Sequence, residues 1–485
     1  MQASDRQVYD FIVVGSGFGG SVSALRLAEK GYRVLVLEQG KRFADHDFPS
    51  SNWRVWDYLW LPALRLHGFM RMSLLHEALV FHGCGVGGGS LVYANVLMEP
   101  DPELFEDPAW RRLADWRTVL QPHYAMARRM LGVATSPRLA PADRILREIA
   151  EANGLGETFR PTEVGVYFGE EGVAEADPYF GGEGPPRAGC TFCGGCMVGC
   201  RHNAKNMLTK NYLYLAEKMG VEVRPESKAL GIYPNVGVAA GHGRFTVAYR
   251  RSTAPLAGRR TVAAENVIVS AGTMGTLDLL LRCREDPESL PRLSPRVGEM
   301  VRTNSEALLG SGARGVDVDY SLGIAISSDA RVDEVTHVQP VRYPAGSSFI
   351  RLISWPMIEA PQRGWPARVV RLGVELLRHP IDFLRSLVGR RWSERTTILL
   401  VMQRLENYMR ISRRRPLPFL PRSLHAERDR TRPVPGEIPL AHRVARDFAA
   451  RTGGSPMGSL SEMLMGMATT AHLIGGCPMG ESAED

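Results

Sequence analysis

The feature that most restricts the fold of this chain is a run of glycines at a single junction. Gly15, Gly17 and Gly20 stand in Gly15-Ser16-Gly17-Phe18-Gly19-Gly20, directly after the apolar run Phe11-Ile12-Val13-Val14. A helical stretch to Lys30 follows, closed by Gly31, and a second apolar run, Val34-Leu35-Val36-Leu37, ends on Glu38. Neither run alternates with polar residues, as expected of parallel strands covered on both faces. Strand, glycine turn, helix, strand and terminal acid in register specify a dinucleotide-binding unit. The first glycine permits the tight turn, the second admits a pyrophosphate to the backbone, and the helix N-terminus offers N–H groups and a positive dipole. Glu38 is placed to accept hydrogen bonds from ribose hydroxyls. Gly15, Gly17, Phe18, Gly19, Gly20 and Glu38 are therefore the first candidate contacts. Spacing by itself does not separate FAD from a nicotinamide dinucleotide.

Further along, Gly83-Cys84-Gly85-Val86-Gly87-Gly88-Gly89-Ser90 is too dense in glycine for a regular element and reads as backbone lying close to something else. A helix through Tyr212–Glu217 closed by Gly220, a strand at Val221-Glu222-Val223 and a buried strand Asn266–Ala271 running into Gly272 supply more α/β pieces. The expected class is thus α/β, a Rossmann-type domain assembled from discontinuous segments, with an α+β second domain on a mixed or antiparallel sheet. The expected division is 1–100 and 190–305 for the nucleotide domain, 101–189 for a connecting or substrate-side segment, 306–464 for substrate contacts and 465–485 for the start of a C-terminal segment shared by cofactor and active site. No internal repeat is visible.

At 485 residues and 44% hydrophobic, the chain can bury a large core. Its net charge of +7 suits a solvated basic surface or an anionic membrane face, and no nucleic-acid partner is expected. No apolar run reaches about 18 residues and no charged-then-apolar leader precedes the first strand, so a cytoplasmic protein, peripheral at the membrane at most, is expected. Between Trp365 and Arg395, arginines alternate with leucines, valines and aromatics at helical spacing, broken at Pro380. That pattern fits a helix at a lipid interface or an ordinary amphipathic helix over the core.

Four of the seven cysteines fall in Cys190-x-x-Cys193-x-x-Cys196-x-x-x-Cys200. The spacing is that of a ferredoxin cluster segment, although Arg201 stands where proline is usual and there is no second set. Three readings stay open: an iron-sulfur cluster, a zinc site, or a thiol-rich turn without metal. A cluster would pass electrons singly to an external acceptor; without one, oxygen can serve.

Gly15–Gly20 with Glu38, Gly85–Asn95, Asn203–Asn206, Ser270–Thr273, Arg302–Glu306 and Ala471–Gly480 together give a sequence that resembles the glucose-methanol-choline (GMC) oxidoreductases, in particular their cholesterol-oxidase-like bacterial branch. The resemblance implies FAD as cofactor, oxidation of an alcohol of sterol or similar lipid type, and Gly85, Gly87, Gly88, Gly89, Ser90 and Asn95 near the flavin. It also implies His472 as the catalytic histidine, a residue able to take the hydroxyl proton near neutral pH. It further implies that the family continues beyond the histidine segment, so that a chain ending at Asp485 lacks a C-terminal stretch. Where those oxidases carry an isomerising glutamate beyond Pro344-Ala345-Gly346, this chain has Ser348. The alternatives are a dehydrogenase of another alcohol or sugar with an external acceptor, a nicotinamide-dependent reductase, or an electron-transfer protein without turnover.

Overall fold

The glycine-marked unit folds as its pattern requires, into β1 (Val8–Val14), α1 (Phe18–Ala28) and β2 (Val34–Leu37), the last buried at every position. In this computed structural model, which describes residues 8–482 apart from 109, 240, 255, 316, 360–363 and 420, the ends of the first and last expected segments (1–7 and 483–485) lie outside the described residues. β1 runs parallel to β2 and to the later strand Arg260–Val269, with Val14 opposite both Leu37 and Val269. The six-stranded sheet has the order Glu222–Arg224, β2, β1, Arg260–Val269, Phe245–Arg251, Ser227–Pro234, its last two pairings antiparallel. It therefore joins strands from widely separated parts of the sequence. Burial on both faces explains the unbroken apolar runs: Val13, Val34 and Val36 pack on one side with Leu213, and Ile12, Leu35 and Leu37 on the other with Leu279.

A second sheet is seven-stranded and antiparallel throughout, in the order Ser354–Pro356, Gly454–Ser459, Glu306–Ala313, Thr396–Gln403, Thr336–Val341, Ser328–Arg331, Arg160–Pro161. Helices Pro141–Ala152 and Pro439–Arg451 cover it, placing Leu146, Ile149, Val444 and Phe448 against Leu309 and Val401. The α/β class with an antiparallel partner sheet is the one the sequence specifies.

A smaller sheet positions the site. Ala468–Thr470 pairs parallel with Ala78–Val80 of the strand that leads into the second glycine loop. The backbone groups of Arg302 and Ile474 exchange hydrogen bonds of 2.8 and 3.0 Å just beyond. The C-terminal segment is thereby laid beside the nucleotide unit. The second loop is more regular than its composition suggests, because Gly88–Leu91 forms a 3-10 turn. Gly87 and Gly88 at φ of +106° and +53° reverse the chain, and Ser90 Oγ donates to the Gly87 carbonyl at 2.7 Å. The arginine-rich stretch forms two helices, Trp365–Arg378 and Pro380–Val388, broken at His379 as the proline requires. Among the described residues, no helix is long and apolar enough to cross a membrane.

Candidate active site

Backbone is packed on backbone where the three glycine turns meet. A Cβ on Gly15, at φ +99°, would lie 2.4 Å from the Ser270 carbonyl oxygen, and one on Gly88 would lie 2.6 Å from Cα of Gly17. Side chains are excluded at both points, so the first loop, the second loop and the Ser270–Thr273 turn come together only as glycine-rich backbone. Ser16 ties them. Its hydroxyl donates to Glu38 Oε2 at 2.7 Å and accepts from the Gly87 N–H at 3.1 Å. Its N–H donates to the same carboxylate at 3.0 Å, and Gly40 N–H donates to Glu38 Oε1 at 2.8 Å. Burial raises the Glu38 carboxyl above its ordinary value, against the pull of those hydrogen bonds. A carboxylate offers about four acceptor positions, and these donors, with the Gln39 N–H, all converge on it.

In front of this junction opens a cavity of about 740 Å³. Of the expected contacts, Gly15, Gly17, Phe18, Gly19, Glu38, Gly88 and Gly89 line it, together with Ser270–Gly275, Ala471 and Leu473. Gly20, Gly85, Gly87, Ser90 and Asn95 do not. Gly20 packs against the Gly15 carbonyl and Gly85 against Gly40, while Ser90 Oγ also accepts from the Leu208 N–H at 3.0 Å. Asn95 is fully buried at φ +74°, with both side-chain polar atoms lacking a hydrogen-bond partner among the described residues. A glycine-walled cavity beside a helix N-terminus, with an acid at the end of β2 and an unsatisfied amide behind the second loop, fits a dinucleotide cofactor.

His472 does not itself line this cavity; it stands between Ala471 and Leu473, which do. Its ring is half exposed, yet one edge is fixed: Nδ1 lies 2.8 Å from Glu306 Oε2, and the Asn304 side-chain amide is 3.0 Å from the same nitrogen. Glu306, only 2% exposed, also accepts from the Ala471 N–H at 2.7 Å. One carboxylate therefore holds both the ring and the backbone that carries it. A carboxylate can only accept, so Glu306 favours the proton on Nδ1, with the Asn304 amide then turning its otherwise unpartnered oxygen, not its nitrogen, to that N–H, and Nε2 is left as the basic nitrogen. Burial pulls the imidazole pKa down, but the Glu306 charge and hydrogen bond outweigh it and leave His472 above the ordinary histidine value. Burial likewise works to raise the Glu306 carboxyl, and the His472 charge and its hydrogen bonds hold it below its usual value.

Neither Glu306 nor Asn304 stood out in the sequence as a site residue. Both fall in Arg302–Glu306, and only the Arg302–Ile474 bridge, which lays the C-terminal segment beside this one, brings them to the ring. Lys205 was equally silent. Its ammonium is buried and donates to the carbonyls of Leu91, Tyr93 and Cys196 at 3.0, 2.9 and 2.8 Å, pinning the exit of the second glycine loop to the cysteine run.

The cysteine run is brought together in the fold. Cys190, Cys193, Cys196 and Cys200 line one small cavity of about 160 Å³. Among the described residues, however, no group of three or more His, Cys, Asp or Glu converges in a metal-holding arrangement. Burial pushes the Cys190 thiol well up and the Cys196 thiol to about 11. Ser348 Oγ accepts from the Trp53 indole N–H at 2.7 Å.

The chain is similar to known proteins over nearly its whole length. Residues 10–332 match the family model described as FAD dependent oxidoreductase. A cholesterol oxidase of Acinetobacter baumannii is 41% identical over 98% of this chain and 86% of its own length. An uncharacterized GMC-type oxidoreductase of Mycobacterium tuberculosis is 28% identical over 56% of this chain and 39% of its own. Among solved structures, a pyridoxine 4-oxidase superposes with a TM-score of 0.51 at 14% identity, covering 92% of this chain and 80% of that one, a likeness of fold alone.

Proposed function

The chain belongs to the FAD-dependent oxidoreductases, on the cholesterol-oxidase-like branch of the GMC family, and from that membership we propose that it oxidises the 3-hydroxyl of a sterol to the ketone. FAD, when bound, supplies the hydride acceptor. The backbone of Gly15, Gly17, Phe18 and Gly19 would hold its pyrophosphate, Glu38 would meet its ribose, and Gly88 and Gly89 would bound it from the second loop. Gly20, Gly85, Gly87 and Ser90 shape those loops. Asn95, expected at the cofactor, lies behind the second loop, where its buried amide has unused donors and an unused acceptor.

Nε2 of His472 takes the hydroxyl proton as the carbinol hydrogen leaves with its electron pair, and Glu306 positions the ring for that transfer. The observation that carries this reading is the His472–Glu306 contact at 2.8 Å, which leaves Nε2 as the ring's basic nitrogen. The nicotinamide alternative falls with the match to an FAD-dependent family. We take dioxygen as the final acceptor, in keeping with relatives named as oxidases, and a protein soluble enough to meet its substrate at a lipid surface.

The reaction stops at the ketone. Where the resemblance places an isomerising base, Ser348 offers only a hydroxyl already bonded to Trp53. Aerobic incubation of FAD-loaded protein with cholesterol tests the reading. The expected products are the unconjugated 3-ketone and one hydrogen peroxide per sterol; unchanged sterol would refute it, and a conjugated enone would refute the arrest at the ketone.

A further inference from the structure

The helices Trp365–Arg378 and Pro380–Val388 carry apolar residues on two faces: Leu372 and Leu376 pack on the core and Phe383 lies against Trp355, while a second apolar face is left in the open. The residues buried on the first are Arg368 and Leu372. Arg368 turns inward to donate to the Glu462 carbonyl at 2.8 Å and to pair with Glu437 at 3.0 Å. The outward face is apolar: Val370, Val374 and Leu377 at i, i+4 and i+7 on the first helix, and Ile381, Leu384 and Val388 at i, i+3 and i+7 on the second, are all exposed, Leu377 at 83%. An amphipathic helix normally turns that stripe to the core, and an exposed apolar stripe of two helices in succession marks a surface that meets something else.

Charge identifies the occupant. Arg371, Arg378, Arg385, Arg390 and Arg391 are exposed around the stripe. Behind it lies a cavity of about 170 Å³ lined by Arg314, Arg385, Arg390, Arg395, His379 and Trp392. Two acids face the same cavity. Asp382 is held by Arg314 at 2.7 Å and by Ser455 at 2.8 Å, and Glu375 lies 3.5 Å from His379. Arg390 and Arg395 have no carboxylate partner among the described residues. The indole N–H of Trp392, a residue only 6% exposed, and the buried Arg395 Nε also lack hydrogen-bond partners among the described residues. Unsatisfied buried donors beside unpaired guanidinium groups suit an oxyanion. Apolar side chains ringed by arginine suit the boundary between acyl chains and anionic headgroups.

We propose that this helix pair is the face by which the protein docks on an anionic phospholipid surface, its exposed valines and leucines entering the acyl boundary while the arginine-lined cavity takes a lipid phosphate. The inference stands on surface chemistry alone and does not depend on which alcohol is oxidised.

Flotation of FAD-loaded protein with phosphatidylcholine vesicles, with and without phosphatidylglycerol, tests it. Partition onto the anionic vesicles should exceed that onto neutral ones by at least about tenfold, and should weaken as salt is raised. V370E/L377E should lose at least about tenfold of the binding by removing apolar insertion, and Arg390→Glu should abolish the preference for anionic lipid. All these positions are exposed, so unchanged melting curves show that the variants fold. Wild-type protein that stays with the soluble fraction, or variants that float as well as wild type, would overturn the proposal. So would a dimer in solution that V370E/L377E dissociates, which would assign the face to a second copy. Quenching or enhancement of Trp fluorescence by free glycerol phosphate at equal strength without vesicles would overturn the lipid assignment in favour of a soluble anion.

Discussion

The Glu306 carboxylate lies 2.8 Å from Nδ1 of His472 and holds the backbone N–H of Ala471 on its other oxygen. The pair sets the pH at which proton removal works. The neutral imidazole is the form that accepts a proton, and it predominates only above the raised His472 value, which lies higher than the ordinary 6.5. The rate of flavin reduction should therefore rise with pH through a limb above 6.5. Glu306→Gln keeps an acceptor for Nδ1–H but removes the charge, leaving burial to pull the pKa down. The limb should move to lower pH in stopped-flow profiles of the variant. An unmoved limb would separate Glu306 from the titration.

Gly88 tests the cofactor cleft. At φ +53°, with a would-be Cβ 2.6 Å from the backbone of Gly17, alanine there must push the two glycine loops apart. The strain alone is of order ~1–3 kcal/mol, and the loops it separates form the cofactor wall. Gly88→Ala should weaken FAD binding by about tenfold or more, given that 1.4 kcal/mol is a factor of about ten, measured by flavin fluorescence on dilution. Retention as tight as wild type would remove the second loop from the cleft.

Lys205 carries a different load. Burial pulls its pKa down to about 7, yet each ammonium hydrogen has a carbonyl within 3.0 Å. Lys205→Met would leave three buried carbonyls without a donor, each a cost of roughly 1–3 kcal/mol before relaxation. A loss of at least about 2 kcal/mol in denaturant unfolding is expected, together with looser FAD, because Leu91 and Tyr93 lie on the exit of the second glycine loop.

All seven cysteines are free, and their burial orders their reactivity. Cys193 and Cys477 are exposed and should label first with a thiol reagent in the native protein. Cys84, Cys190 and Cys283 are buried and should label only on unfolding. Fewer than seven titratable thiols in the denatured, unreduced protein, or iron and labile sulfide bound stoichiometrically, would contradict the thiol reading of the Cys190–Cys200 run.

How much of this was legible in the sequence differs by residue. The unit from Val8 to Glu38 was, because strand burial, turn and helix are all local, and glycine is required where Gly15 meets Ser270. The resemblance singled out Gly88, Gly89 and His472 through motif alone. Glu306, Asn304 and Lys205 were not visible, since their partners lie far off in sequence: 166 and 168 positions separate Glu306 and Asn304 from His472. Such contacts are made by sheet order, which periodicity does not reveal. The arginine-rich stretch was ambiguous because its spacing gives a helix but not which face is buried. Arg368 pairing inward with Glu437 decides that. The cysteine spacing left three readings open for a related reason, as it specifies separations along the chain and not how the thiols converge in space.

Anaerobic mixing of FAD-loaded protein with a sterol, following the visible absorption of the flavin, tests the central claim most directly. Bleaching by a 3-hydroxysterol, little or none by glucose, and a fall of about 10²–10⁴ in its rate for His472→Ala with FAD still bound are the expected results. A flavin that stays oxidised in sterol, or one that His472→Ala reduces at the full rate, would contradict it.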